Sequence, residues 1–326
     1  MKVISYLNSE IPGTNLYDLD LEEFAKDNQE YCEEVLFYGY RILEKGLSKA
    51  KVRSCFRKIK YLNVTMPTEY SSDNFIHDAN GVFDEIYGIC PFSCHWMNKL
   101  EGSNRYKYIF YPVSIPNGVN PLAKKDYDVI YHGGIHNVKY LHMLEIFKQF
   151  NYRYITMTKG INQLTGLALP MATNINLSPV DKYKVISNCK ISICFNSYPV
   201  GTEAIENIKR RPRWEENQAF NDLNNGYVPQ FKSRFNEAAA LGTLNLVEKD
   251  NWNLVEDFYE EGKDFIYFES MEDMEKKIGE VLSNWEKYDD MRLSALQKSK
   301  LFTRNNLYYR IMKSECWNSK HTPIQV

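Results

Sequence analysis

The chain has 326 residues, of which 44% are hydrophobic and 25% charged, and its formal net charge is −2. That length is comfortable for two domains. The composition excludes a disordered chain and a globally basic nucleic-acid-binding protein, although a near-neutral sum can contain a local basic patch.

Seven cysteines occur without a CxxC pair, the closest spacings being Cys90/Cys94 and Cys189/Cys194. This pattern argues against a disulfide framework and against a zinc ribbon. The opening residues "MKVISYLNSE" lack the apolar stretch of a signal peptide. No window reaches the roughly 18 apolar residues of a membrane span. We therefore expect a cytoplasmic protein without a transmembrane segment, and the sequence leaves its oligomeric state open.

The first part of the chain begins with a predicted strand, "KVISYL". Residues 21–46 carry apolar side chains about every three or four positions and predict a helix that Gly46 ends. A basic run without an acid, Lys49 to Lys60, then enters a β-branched stretch. Such a run is typical of a solvated helix face. The alternative interpretation is a surface that attracts an anionic acceptor. Two predicted strands, "GVFDEIYGICPF" and "KYIFYPVSI", flank the predicted helix "SCHWMNKL".

A proline-rich segment, Pro112 to Pro121, is the predicted linker. After it, predicted strands and helices alternate. The predicted strands are "YDVIYHGG", "YRYITMT", "KISICFNS", "TLNLVEK" and "KDFIYFE". The predicted helices are "NVKYLHMLEIFKQF", "DKYKVISNC", "SRFNEAAALG", "NWNLVEDFY", "MEDMEKKIGEVLSNW" and "YDDMRLSALQKSKLF". Alternation of this kind predicts an α/β fold with parallel sheets. We expect two doubly wound, Rossmann-like domains facing a cleft, residues 1–121 and 122–300, with ligands beyond the carboxyl ends of the strands.

The stretch "QFKSRFNEAAALGT", residues 230–243, carries the most chemistry. Ser233 is a predicted N-cap, and Glu237 then falls in about the first turn, where the helix dipole favours a negative charge. Lys232 and Arg234 do not fit that purely structural role, because cations at a helix start are unfavourable. A helix N-terminus with a Lys and an Arg is instead a phosphate site. A carboxylate one turn further on can accept both hydroxyls of a ribose, so the stretch predicts a nucleotide site.

The order of elements over Gln230 to Phe268 also resembles a known family. It is similar to the C-terminal domain of GT-B glycosyltransferases, in the group 1 branch related to the retaining family-4 enzymes. The resemblance rests on a basic-x-Arg, aromatic, Glu-Ala, small-residue, Gly pattern, followed by a strand, a helix and the strand "KDFIYFE". It extends more loosely from Tyr127 to Arg310.

The resemblance implies transfer of a hexose or pentose from a nucleotide-diphosphate sugar, with retention and without a metal or other cofactor. Glu237 would hold the ribose, and Lys232 and Arg234 would neutralise the departing diphosphate. These three are the predicted catalytic residues. The resemblance also implies that a terminal helix in residues 301–326 packs back on the first domain.

Further donor-side residues are predicted near the ends of strands. Gly133 and Gly134 allow close backbone approach to the phosphates or the sugar, and His132 beside them would donate to the same groups. The other predicted donor contacts are Asn196, Asp250 and Asn251. His132, His136 and His142 predict no metal site, because the glycines separate the first two and no carboxylate or Cys completes a ligand set.

Acceptor-side candidates are Glu69 and His77 in "MPTEYSSDNFIHD" and Arg211 and Arg213 in "KRRPRW". The acceptor is left open among a glycan, a lipid-linked group and a nucleic acid. A basic cluster with an aromatic suits unstacked bases, so one alternative is a phage-type GT-B enzyme that glycosylates a modified pyrimidine in DNA. Another alternative is a non-catalytic nucleotide-sugar-binding module. The family's second Glu, eight residues before Glu237, is replaced here by Pro229, which keeps that alternative open.

Overall fold

The structure, a computed structural model, describes residues 2–5, 34–38, 56–63 and 81–320. The chain divides into two compact units. The first comprises Met1–Phe110, Val200–Val228 and Leu307–Val326, and the second comprises Tyr111–Pro199 and Pro229–Asn306. None of the described helices combines the length and the hydropathy needed to cross a membrane.

In the first unit, the described strands form a five-stranded parallel sheet in the order β1-β2-β3-β4-β5. The strands are β1 (Lys2–Ser5), β2 (Glu34–Tyr38), β3 (Lys58–Asn63), β4 (Glu85–Gly88) and β5 (Tyr106–Tyr108). Helix α1 (Pro91–Glu101) connects β4 to β5, as the sequence predicts for "SCHWMNKL". The strand order of this sheet follows the chain order, and α1 is a described crossover helix between two of its parallel strands.

Two predictions for this unit are wrong. Within the helix predicted at residues 21–46, residues 34–38 form β2 instead, which pairs with β1 and β3 on its two sides, and the rest of that prediction lies outside the described residues. A strand buried on both faces has a continuous apolar run, which helical periodicity also fits. The basic run is not a solvated helix face at its described end, because its last residues enter β3 and Lys60 is fully buried.

The second unit holds a six-stranded parallel sheet in the order β13-β12-β9-β6-β7-β8. Its strands are β6 (Tyr127–His132), β7 (Tyr152–Thr156), β8 (Asn174–Ile175), β9 (Cys189–Cys194), β12 (Leu244–Glu248) and β13 (Phe265–Phe268). Val129 and Tyr131 pack in one apolar cluster, while Ile130 packs in another. Alternate residues of β6 thus bury on opposite faces of the sheet, as the apolar run "DVIY" predicts for a central parallel strand.

The remaining helices are α2 (Val138–Phe147), α3 (Gln163–Ala168), α4 (Pro179–Ser187), α5 (Thr202–Lys209), α6 (Ser233–Ala240), α7 (Met271–Ser283), α8 (Asp289–Ser299) and α9 (Arg304–Met312). Short strands β10 (Ser197–Pro199) and β11 (Tyr227–Pro229) bound the segment that contains α5. The predicted helix "NWNLVEDFY" is only a 3₁₀ turn, Leu254–Asp257, because Asn253 has a positive φ of 46° immediately before it. The sequence did not predict α3, α5 or β8.

Candidate functional site

A cavity of about 390 Å³ lies in the second unit, beyond the carboxyl ends of β6 and β7 and beside the first turn of α6. Its volume is in the range of small-molecule sites, and its position follows the rule for open parallel sheets. It brings together five of the predicted site residues, which are His132, Gly133, Gly134, Arg234 and Glu237. Four others do not line it, namely Lys232, Asn196, Asp250 and Asn251.

The N-terminus of α6 opens at this cavity without a side-chain cap. The helix begins at Ser233, and Lys232 occupies the N-cap position in an extended conformation, with no capping hydrogen bond from its side chain. The prediction of Ser233 as N-cap is therefore wrong by one residue. Because the first turn of a helix has backbone N–H groups without intrahelical acceptors, this end of α6 can bind an anion.

Arg234 is buried beside this helix end. Its guanidinium lies 4.5 Å from the ring centroid of Tyr131, and its Nη1 has no hydrogen-bond partner among the described residues. Gly133 makes room for it: the residue has a φ of +146°, and a Cβ there would lie 2.9 Å from Arg234 Cζ. A buried guanidinium with an unused N–H is well suited to a phosphate or carboxylate ligand.

Glu237 is the fifth residue of α6, so it lies beyond the first turn and has no dipole role. Its Oε2 is 2.7 Å from Lys182 Nζ and 3.3 Å from His132 Nδ1, and its Oε1 is 3.4 Å from the Tyr183 hydroxyl. Burial by itself would raise the pKa of Glu237, but the charge of Lys182 and the hydrogen bond from His132 lower that pKa to about 2. The carboxylate is therefore ionised at neutral pH.

His132 is a neutral imidazole in this setting. Burial lowers its pKa to about 4, against the opposing effect of Glu237. The contact with Glu237 assigns the single ring proton to Nδ1, which leaves Nε2 as an acceptor without a partner among the described residues. The predicted role of His132 as a donor to phosphate or sugar does not fit this tautomer; an acceptor suits a sugar hydroxyl.

The lining residues that the sequence did not predict include two with a titratable group in contact with the site. Lys182 reaches the cavity from α4, and His136 reaches it from the loop after the double glycine. The His136 ring packs edge-on against Tyr198, with centroids 5.7 Å apart. Burial, Lys232 and Arg234 lower its pKa to about 4, so it too is neutral. His136 had a signal in its proximity to the glycines, whereas Lys182 had none.

Lys232 and Asn196 support α6 from outside the cavity. The ammonium group of Lys232 lies 5.1 Å from the ring centroid of Tyr198, and burial and the nearby Arg234 hold its pKa well below the usual range. The buried Asn196 side chain accepts from the backbone N–H of Lys232 at 3.2 Å. This bond fixes the chain as it enters the helix.

Asp250 closes a turn after β12. Its Oδ1 accepts from the backbone N–H groups of Trp252, at 2.9 Å, and Asn253, at 2.7 Å. Burial raises the pKa of Asp250 to about 6 despite these bonds. Asn251 beside it is exposed.

The acceptor-side predictions are described only in part. Glu69 and His77 lie outside the described residues. Arg213 is exposed and pairs with Glu216 at 2.6 Å, and Glu216 also pairs with Lys99 at 2.5 Å. Arg211 is half-buried. The basic cluster is thus interleaved with carboxylates. Among the described residues, no group of three His, Cys, Asp or Glu side chains is arranged to hold a metal ion.

Comparisons with known proteins relate the chain to glycosyltransferases. A profile of the "glycosyl transferase-like" family matches residues 170–312, which contain α4, α6 and the strands between them. A search of curated protein sequences finds no match.

Among solved structures, HepE from Anabaena in complex with UDP-glucose is 12% identical, with 90% of this chain and 81% of that chain covered and a TM-score of 0.60. Sucrose-phosphate synthase from Thermosynechococcus elongatus is 9% identical, with 90% and 77% covered and a TM-score of 0.57. A TarM variant from S. aureus is 12% identical, with 90% and 57% covered and a TM-score of 0.59. At these identities the structures establish the fold.

Residues 170–312 thus match a glycosyl transferase-like family, and the solved structures show that the chain has the GT-B fold. The resemblance drawn from residues 230–268 is thereby confirmed, and the α/β fold class with it.

Proposed function

We propose that the protein transfers a sugar from a nucleotide-diphosphate donor, with the nucleotide bound in the cavity beside α6. One observation carries the proposal: an uncapped helix N-terminus, a buried Arg234 with an unused N–H and an ionised Glu237 all line a single cavity. The first two would bind the diphosphate, and the carboxylate would accept from the ribose hydroxyls.

Stabilisation of the departing diphosphate would supply most of the catalysis. Arg234 and the N–H groups of α6 are fixed before the reaction, so they would stabilise developing negative charge without reorganisation. Lys232 would contribute through its field rather than by contact, because it does not line the cavity. No metal is part of this scheme, since the fixed cations of the chain would do the same electrostatic work.

A uridine nucleotide is the first donor to test. Two of the similar structures, HepE and the TarM variant, are described as complexes containing UDP or a UDP-sugar. The proposed contacts are to the ribose and the phosphates, which every nucleoside diphosphate has, so they do not select the base. The donor sugar is left to the experiment.

Retention is proposed for the stereochemistry. The family resemblance favours it, and Glu237, the one carboxylate among the described lining residues, is held in an ion pair with Lys182. The leaving diphosphate would then manage the proton of the acceptor. The anomeric configuration of the product, observed by NMR, tests this part. The acceptor would be bound by the first unit, where Glu69, His77, Arg211 and Arg213 remain predicted contacts.

A thermal-shift panel of UDP-, GDP-, ADP-, CMP- and dTDP-linked sugars tests the donor site. A ligand at one hundred times its Kd adds about 2.7 kcal/mol of apparent stability. We expect one nucleotide class to stabilise the wild type and to have no effect on Glu237→Gln. Glu280→Gln, an exposed carboxylate on α7, is the control and should respond like the wild type. If no donor stabilises the wild type, the proposal fails.

A further inference from the structure

The Glu237 carboxylate is almost fully occupied in this structure. Lys182 Nζ and His132 Nδ1 contact Oε2, and the Tyr183 hydroxyl contacts Oε1. A carboxylate offers about four acceptor positions, and a ribose diol needs two of them. One of the three present partners must therefore give way before Glu237 can hold a ribose as proposed above.

Of the two partners on Oε2, Lys182 is the better able to leave. His132 is 3% exposed and fixed at the end of β6, within the sheet. Lys182 is 31% exposed, lines the open cavity and carries its ammonium group on a flexible four-carbon stem. Its contact with Glu237 is also the shortest of the three, at 2.7 Å, so it blocks the Oε2 position most completely.

A departing Lys182 needs a new anionic partner. A nucleoside diphosphate would bring one into the same cavity, on the side of Arg234 and the N-terminus of α6. A free nucleoside would bring only the hydroxyls, so its ribose would have to break a charged pair without replacing it. The cavity could therefore distinguish ligands by whether they carry phosphate, although Glu237 itself would contact only the ribose.

We propose that Lys182 is a specificity-determining residue: it holds Glu237 in the empty cavity and moves to the diphosphate when the donor binds, which excludes nucleosides that lack phosphate. This inference rests on the proposed function, because it assumes that Glu237 receives a ribose.

The test compares two probes, UDP and uridine, or the matching pair for the nucleotide that the thermal-shift panel selects. In Lys182→Met, the affinity for UDP should fall roughly 10- to 100-fold, the effect of losing one charged hydrogen bond. The affinity for uridine should rise, because Glu237 is released. The two probes thus change in opposite directions, which a general loss of structure cannot produce.

Two further variants complete the experiment. Lys182→Arg keeps the charge and should keep the preference for UDP over uridine. Lys184→Met removes an exposed lysine from the same helix and should leave both affinities unchanged. If Lys182→Met does not fold, Lys182→Gln serves, with the same opposite changes expected.

Two results overturn the inference. If Lys182→Met binds UDP and uridine more weakly by the same factor, Lys182 has a merely structural role. If both affinities are unchanged, Lys182 has no role in binding. Both results require a wild type that binds UDP, so they leave the proposed function intact. A wild type that binds no nucleotide overturns the proposed function, and this inference with it.

Discussion

The guanidinium of Arg234 lies directly against the backbone of Gly133, at the point where a side chain would project from any other residue. A Cβ built on Gly133 would lie 3.3 Å from Nη1 and 2.9 Å from Cζ, and the residue also has a φ of +146°. The glycine after β6 and the arginine at the start of α6 are therefore one structural unit, although 100 residues separate them.

Gly133→Ala should expel Arg234 from its position. The added methyl group meets the guanidinium, and the backbone conformation strains any L residue, so we expect the free energy of unfolding to fall by about 1–3 kcal/mol. Nucleotide affinity should fall with it, measured by calorimetry at a temperature where the variant is folded. Gly166→Ala is the control, since a Cβ there meets nothing within 4 Å and should be neutral or slightly stabilising inside α3. Normal nucleotide binding by Gly133→Ala would contradict the coupling.

Arg234 and Lys232 should differ in their effect on the nucleotide. Arg234 lines the cavity, whereas Lys232 lies against Tyr198 outside it. We expect Arg234→Met to weaken UDP binding roughly 10- to 100-fold and Lys232→Met to weaken it several-fold less, because only the first removes a direct charged hydrogen bond. Titration calorimetry of the two variants side by side measures this. Equal losses would return Lys232 to the direct role predicted from the sequence.

Asp250 should make stability depend on pH. Its pKa rises from an ordinary 3.8 to about 6 in the folded chain, so the folded state binds the proton more tightly than the unfolded state. Stability from this group is present below pH 4 and is lost as the pH rises to 6. Asp250→Asn keeps the Oδ1 acceptor for Trp252 and Asn253 and removes the charge.

The variant should therefore match the wild type near pH 4 and exceed it in Tm at pH 7 to 8. Its affinity for UDP should be unchanged, because Asp250 does not line the cavity. A variant less stable than the wild type at pH 8 would show that the ionised form of Asp250 is favourable in the turn.

Lys60 should be essential to the first unit. It is fully buried, lies 3.4 Å from Glu85 and donates a hydrogen bond to the backbone carbonyl of Ile311, at the end of α9. Glu85 keeps Lys107 at 3.0 Å and Lys58 at 3.3 Å when Lys60 is replaced, so Lys60→Met should cost about 3 kcal/mol, the lower end for a broken buried pair.

The control for this prediction is Lys58→Met, a lysine that is 42% exposed and reaches the same carboxylate. It should cost less than about 1 kcal/mol, because water screens an exposed pair. Urea unfolding of both variants measures the difference. Equal losses of unfolding free energy in the two variants would mean that the buried Lys60 stabilises the protein no more than an exposed lysine does.

Periodicity predicted the second unit better than the first. From Tyr127 to Phe268 the predicted strands are short apolar runs separated by turn residues or by helices with a polar face, and each of them is observed, although the short strand β8 was not predicted. The helix predicted over residues 34–38 is wrong because the apolar residues of "EVLFY" have spacings that fit both a helix and a central strand of a parallel sheet. Its pairing with β1 and β3 decides between them, and that pairing is not visible in the local sequence.

The site was predictable only where its residues have a local signal in the sequence, at the end of a predicted strand or at the start of α6. Arg234 and Glu237 share α6, so their spacing and the glycine of the strand loop indicated a nucleotide site from the sequence. Lys182 contacts Glu237 across 55 residues of chain, and nothing in "DKYKVISNC" distinguishes it from the exposed Lys184 two residues later. Only the packing of α4 beside α6 selects it.

The sequence by itself determined the class of fold, the parallel sheet of the second unit and the helix that carries Arg234 and Glu237, because these depend on local patterns of apolar, small and charged residues. The tertiary structure decided the state of each charge: that Glu237 is held by Lys182, that His132 is neutral and donates to Glu237, and that Lys232 lies outside the cavity. The physical reason is that hydrogen-bond partners and burial, which set a side chain's charge and reach, come from segments distant in the chain.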